Sequence, residues 1–222
     1  MPKKKTPRRY HHGDLRRALL DAALAIVEQA GPGALSVREL ARTAGVSHAA
    51  PYRHFPSREA LLVALGVEGF RGLETEMQAA IAEEGDPIDR LVAQGVAYVR
   101  YAVAHPGHFK VMFGSELHGD VKDAELAAAS EPTLRALVDC IAAAQAEGEV
   151  RDGDPRALSV GAWATVHGLA MLLVDRQLAP LVEEPISVES LARATIDGVV
   201  RGLAPTRTAA PRARSRATPK AR

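Results

Sequence analysis

Ser36-Val37-Arg38-Glu39-Leu40-Ala41-Arg42-Thr43-Ala44-Gly45-Val46-Ser47-His48-Ala49-Ala50-Pro51-Tyr52-Arg53-His54-Phe55 is the stretch on which the reading of this chain turns. Ser36 and Glu39 have the spacing of a capping box, in which the Ser side chain takes a free amide and the Glu reaches back. Val37 to Thr43 reads as a short helix with Leu40 and Ala41 on its inner face. Gly45 supplies a turn conformation that other residues resist. Val46 plugs the angle between two helices, and Ser47 caps a third helix ending near Phe55. This is the layout of a helix-turn-helix, whose second helix lies in the DNA major groove. His48, Ala49 and Ala50 suit close approach to base edges, and Tyr52 and His54 can bond phosphate. Pro51 forgoes the bond to the Ser47 carbonyl, so the recognition helix is short and loosened at its start.

Outward from that stretch the punctuation is helical throughout. A first helix runs from about residue 14 to 30, with Leu15, Leu19, Ala22, Ile26 and Ala30 on one face. Ser57 caps a long helix to about Glu84, and Asp86-Pro87 opens another to about His105. Further helices are expected near Gly107–Phe113, Glu131–Glu147, Pro155–Gln177 and Val188–Leu203. No alternating run of β-branched and polar residues is bounded by hairpin turn residues. The fold class is all-α, with about nine helices and no internal repeat.

From about Leu15 to Leu62 the chain closely resembles the DNA-binding domain of the TetR-type transcriptional regulators. The resemblance lies in Leu40-Ala41, in Ala44-Gly45-Val46-Ser47, in Tyr52-Arg53-His54-Phe55, and in Ser57-Arg58-Glu59-Ala60-Leu61. It implies an N-terminal three-helix bundle followed by a larger helical domain for ligand binding and dimerisation. The implied DNA-binding residues are Ser36, Ser47, His48, Ala49, Ala50, Tyr52, Arg53, His54 and Arg58. Tyr52, His54 and Arg58, the last standing where Lys is common, would reach the DNA backbone. The expected division is a basic flexible arm at 1–11, a reader at 12–60, a sensor at 61–204 and a disordered basic tail at 205–222.

Charge supports that division. Residues 1–56 carry ten Lys and Arg against four Asp and Glu, a net +6; residues 57–200 carry eleven against 23, a net −12; residues 201–222 carry seven against none. Basic ends suit a polyanion and an acidic body does not, so nucleic-acid contact belongs at the ends. The single cysteine, Cys140, excludes an intrachain disulfide framework and any Cys-rich zinc site. The basic start lacks the hydrophobic stretch of a secretory signal, and the expected compartment is the cytoplasm. No membrane is expected, with Arg, Asp or Glu breaking each apolar run short of the ~20 residues a span needs. No G-x-S-x-G, P-loop or G-x-G-x-x-G stands in a strand context, so neither an enzyme nor a cofactor is expected. His105 and His108 flank a Pro-Gly turn without an evident third ligand, and no metal site is assigned.

Beyond Leu62 the resemblance weakens. Trp163-Ala164-Thr165-Val166-His167-Gly168 is similar to the Trp-x-x-x-His-Gly element of one C-terminal subgroup, and His105–Phe113 to the segment before it. That similarity locates a pocket, with Tyr98, Tyr101, Phe109, Met112, Phe113, Trp163, His167 and Met171 as its expected lining. A mostly apolar effector would be oriented there by His167 or a Tyr hydroxyl. The last two long helices, with Gly161, Ala164 and Gly168 for close approach, would form a homodimer across a two-fold axis. Such a dimer reads a palindromic operator on double-stranded DNA and is expected to repress. The competing reading is a helical protein whose basic ends bind nucleic acid or an anionic membrane without sequence preference.

Overall fold

The computed structural model describes residues 12–117, 123–178 and 187–205, with side chains from residue 15 onward. The arm at 1–11, the tail beyond 205 and His118 lie outside the described residues. Eight α-helices follow in order: α1 (His12–Ala30), α2 (Val37–Thr43), α3 (Arg58–Ile81), α4 (Pro87–Ala104), α5 (Pro106–Phe113), α6 (Ala124–Ala146), α7 (Pro155–Val174) and α8 (Val188–Leu203). Two 3-10 turns, Pro32–Ala34 and Pro51–Arg53, complete the regular structure, and no strand occurs among the described residues.

Local chemistry explains the helix starts. Ser36 Oγ accepts the Glu39 amide at 3.2 Å and Ser57 Oγ the Ala60 amide at 3.1 Å. Asp86 accepts from Ile88 at 2.7 Å and from Asp89 at 3.2 Å, and Asp154 from Arg156 at 3.0 Å, each just ahead of a proline at the first helical position. The expected capping box closes only halfway, because the Glu39 carboxylate pairs with Arg42 instead of reaching back. Gly45 turns the chain out of α2 at φ 66°, a left-handed conformation that costs residues with a Cβ.

Three expectations are corrected. No α-helix follows Ser47. The amides of Ala50, Arg53 and His54 bond three residues back, at 3.0, 3.3 and 2.9 Å, and only Phe55 reaches four back, to Pro51 at 2.9 Å. Pro51 has no N–H to close an α-turn on Ser47, so the segment tightens into a 3-10 turn, and no side-chain hydrogen bond caps it. Helix α6 begins at Ala124, seven residues before the expected start, with Asp123 as its cap. Pro132 lies inside it at the expense of one backbone bond. Finally, α7 is long and apolar enough to cross a membrane, with mean hydropathy 1.7 and Arg156 its only Asp, Glu, Lys or Arg, yet only 28% of the apolar window is buried. Gly, Ala, Ser and Thr in place of charge carry that apolar run through the helix.

The core is continuous from Leu19 and Leu40 through Phe55, Leu61 and Phe70 to Val166 and Ile196. It therefore crosses residue 60, and α3 runs through both halves of the molecule. A second cluster joins Leu91, Ile141, Leu158 and Leu203. Helix α5 is wedged between reader and body. A Cβ on Gly107 would lie 2.7 Å from Glu28 Cγ of α1, and one on Gly69 of α3 would lie 2.5 Å from Met112 Sδ. Arg17 of α1 bonds Glu68 of α3 at 2.6 Å.

Candidate nucleic-acid interface and ligand cavity

The turn after α2 is anchored by two buried residues, Pro51 and Phe55, with the Arg16 guanidinium 5.2 Å over the Phe55 ring. Anchoring one side leaves the other free. Ser47, His48, Ala49 and Arg53 are exposed, Tyr52 is 56% exposed, and Ala50 and His54 are half-buried. Ser36 is exposed at the start of α2. All nine expected DNA-binding residues have exposed or half-buried side chains, and eight of them make no side-chain hydrogen bond to a distant part of the chain among the described residues.

Arg58 is the exception. Its Nε donates to the Leu35 carbonyl at 2.7 Å, and Nη2 donates to the Pro32 carbonyl at 2.9 Å and to Glu116 Oε2 at 2.8 Å. The side chain read as a phosphate ligand is committed to the protein, tying the Pro32–Ala34 turn and the residues after α5 to the start of α3. Arg58→Ala is expected to lower the unfolding free energy of the DNA-free protein by about 1–2 kcal/mol, discounted for partial exposure of the pair. Chemical denaturation without DNA measures this, and an unchanged midpoint would mean that the three bonds contribute nothing.

A cavity of about 300 Å³ opens between α3, α4, α6, α7 and α8. Tyr98, Phe113 and Trp163 line it as expected. Tyr101, Phe109 and Met112 do not: all three are buried, and the Tyr101 hydroxyl donates to the Gly69 carbonyl at 2.8 Å. Phe109 and Met112 lie under the wall because α5 packs into the core, and Tyr101, on α4, is held against α3. Met171 packs half-buried against the core and is not among the lining residues. His167 stands behind the wall. Trp163 Nε1 donates to Tyr98 Oη at 3.2 Å, and Tyr98 Oη lies 2.8 Å from His167 Nδ1. Burial holds His167 below the usual histidine range, so the ring is neutral; with its proton on Nε2, Nδ1 accepts from Tyr98. The hydroxyl and imidazole expected to orient a ligand are therefore bonded to each other.

Sequence reasoning missed Gln94. It is 3% exposed, lines the cavity, and neither Nε2 nor Oε1 has a hydrogen-bond partner. The signal was its position three residues after Leu91 and four before Tyr98, on the apolar stripe of α4. The α6 wall, with Leu134 and Leu137, was missed as well: both lie within the helix expected at 131–147, and nothing in its own periodicity says that it closes over α4.

His108 is buried beside Glu68, with Nε2 3.3 Å from Oε1 but without hydrogen-bond geometry. Burial lowers its pKa, against the opposing pull of Glu68. The unfolded chain, with ordinary histidines near pH 6.5, then binds protons before the folded state does. Stability is full above that value and falls as acid is added. The thermal midpoint should drop between pH 7.5 and 5.5, and a double His108→Leu, His167→Leu protein should show a flatter profile. A wild-type midpoint that rises over that window would contradict neutral buried rings.

Comparison with known proteins bears on both surfaces. Residues 19–65 match the model of bacterial regulatory proteins of the tetR family, and residues 91–199 that of the tetracyclin repressor-like C-terminal domain. The nucleoid occlusion factor SlmA of Marinobacter nauticus is 32% identical over 139 residues, covering 62% of this chain and 70% of that one. Other curated relatives are matched over between 38% and 56% of their own length. A solved protein of unknown function from Rhodococcus sp. RHA1 superposes with TM-score 0.75 at 37% identity, over 89% of this chain and 99% of that chain. PfmR, a TetR family transcriptional regulator from Thermus thermophilus, superposes with TM-score 0.68 at 25% identity, over 83% and 98%.

Proposed function

The chain belongs to the TetR family of bacterial transcriptional regulators, and from that premise we propose that it works in the cytoplasm as a dimeric repressor, released from a palindromic operator by a small molecule. The observation that carries this reading is the pairing of a turn at 47–53 that leaves Ser47, His48, Tyr52 and Arg53 exposed with a 300 Å³ cavity, the two linked by α3. Helix α3 starts beside the turn, and its Phe70 and Met77 line the cavity. A ligand there presses on α3 and, through Phe113, on α5, which abuts α1. Reader heads share a palindrome only when set about one duplex turn, ~34 Å, apart, so a tilt of a few ångströms releases one. A hundredfold ligand preference for the mis-spaced form is about 2.7 kcal/mol of coupling.

The dimer is assigned to α7 and α8, the Trp-x-x-x-His-Gly element lying on α7. Val160 and Leu172 are exposed, and added Cβ atoms at Gly161, Gly168, Gly198 and Gly202 would meet nothing within 4 Å. An apolar helix so little buried by its own chain is suited to a four-helix interface with a second copy.

Selection of bound duplexes from a random pool tests the reading. Recovery of an inverted repeat with half-sites one turn apart, retained over scrambled DNA as salt rises, is the expected result. Sequence-blind recovery with uniform, steeply salt-dependent loss would favour the non-specific polyanion binder.

A further inference from the structure

We propose that the cavity takes a neutral, largely apolar molecule presenting an adjacent hydrogen-bond donor and acceptor (a lactam, carboxamide or imide edge) to the side chain of Gln94. This deepens the reading of the cavity as the effector site and rests on it.

Gln94 is 97% buried, with both polar atoms unpartnered and the cavity before it. A buried amide with neither hydrogen bond made is an unusual feature, because it has lost water without replacement. The other central polar groups of the wall are already paired: Trp163 with Tyr98, and Tyr98 with His167. Ser130 and Thr133 bond backbone carbonyls of their own helix. Gln94 is thus the unsatisfied polar group that faces the cavity, and its planar amide offers one donor edge and one acceptor edge together. A cis-amide edge closes both bonds at once.

The surroundings set the charge. Phe70, Met77, Leu91, Leu134, Val166 and Ile196 make the wall apolar, and among the described residues no Lys or Arg lines it. The one charged lining residue is the exposed Glu131, paired with Arg135. A carboxylate would lose its water beside an acid with no cation to meet it, so the anion is disfavoured. At roughly 30 Å³ for each water-sized group, the cavity encloses about ten non-hydrogen atoms.

Trp163, the single tryptophan of the chain, lines the cavity and reports occupancy by fluorescence. The probes are a phenyl-substituted γ-lactam, its N-methyl derivative and the open-chain phenylbutanoate, titrated into the full-length protein. We expect the lactam to bind at least about tenfold more tightly than either of the others. In Gln94→Leu that preference should fall to within about threefold, with helicity kept and a higher melting temperature. Gln94→Met serves the same purpose if the leucine variant does not fold. Equal affinity for lactam and N-methyl lactam, tighter binding of phenylbutanoate, a preference unchanged in both variants, or no quenching by the lactam would each overturn the inference. Operator release is measured in parallel. Lactam binding with its Gln94-dependent preference but without release supports the ligand class while contradicting the effector role. Release by all three probes alike contradicts the ligand class alone.

Discussion

Phe109→Ala is expected to destabilise the protein by about 3–5 kcal/mol, the range for emptying a large aromatic from a core. Phe109 has no exposed surface, and its ring lies 4.8 Å from Phe113, 5.6 Å from Tyr98 and 5.5 Å from His167 by centroids. It supports the cavity wall from behind, so its loss acts on the fold before it acts on any ligand. Such a cost is a large part of the roughly 5–15 kcal/mol that holds a typical domain. Thermal or urea denaturation measures it directly. A loss below about 1 kcal/mol with ligand affinity sharply altered would return Phe109 to the cavity lining, where the sequence placed it.

The second large effect concerns DNA. Replacing Tyr52 and His54 together by Ala should weaken operator binding about hundredfold, from two phosphate hydrogen bonds of about 1.4 kcal/mol each. The cost should be the same on operator and scrambled duplex, because phosphate contacts carry no sequence information. The double replacement removes no Lys or Arg, so the slope of affinity against salt should stay as it was. Tyr52 is 56% exposed and packs little, so the variant should fold. Replacing His48 should instead change which bases are preferred. Full operator affinity in Tyr52→Phe, which removes only the hydroxyl, would count against the backbone-contact role.

How far the site was legible can be followed residue by residue. Aromatic or adaptable character, beside the resemblance at Trp163-to-Gly168, put Tyr98, Phe113 and Trp163 in the expected lining, and they stand on the cavity wall. The same criteria put Tyr101, Phe109 and Met112 there, and these are core. An aromatic on an apolar face satisfies both descriptions equally, and its own helix cannot say which neighbour arrives. Gln94 failed in the other direction. A glutamine within a helix reads as solvated surface, and its burial depends on α6, α7 and α8 closing around α4.

The order of the helices and most of their starts were legible in local sequence. Ser57, Asp86, Asp154 and Ser187 each cap the next helix through a bond two or three residues away, and Gly45 forces the turn after α2. These interactions are complete within a few residues, so they survive without knowledge of the rest of the chain. Pro51 announced a weakened recognition segment by the same local logic, though the 3-10 turn went further than a loosened helix. What each side chain meets depends on packing between distant parts of the chain. That packing turned Arg58 from phosphate toward Leu35, Pro32 and Glu116, bonded Tyr98 to His167, and enclosed Gln94 before an apolar cavity. Each of those outcomes joins distant residues or more than two helices at once, as the 23-residue span from Arg58 to Leu35 and the 69-residue span from Tyr98 to His167 show. The periodicity of one helix says which face is apolar, while the packing of its neighbours decides whether that face meets core, cavity or a second copy.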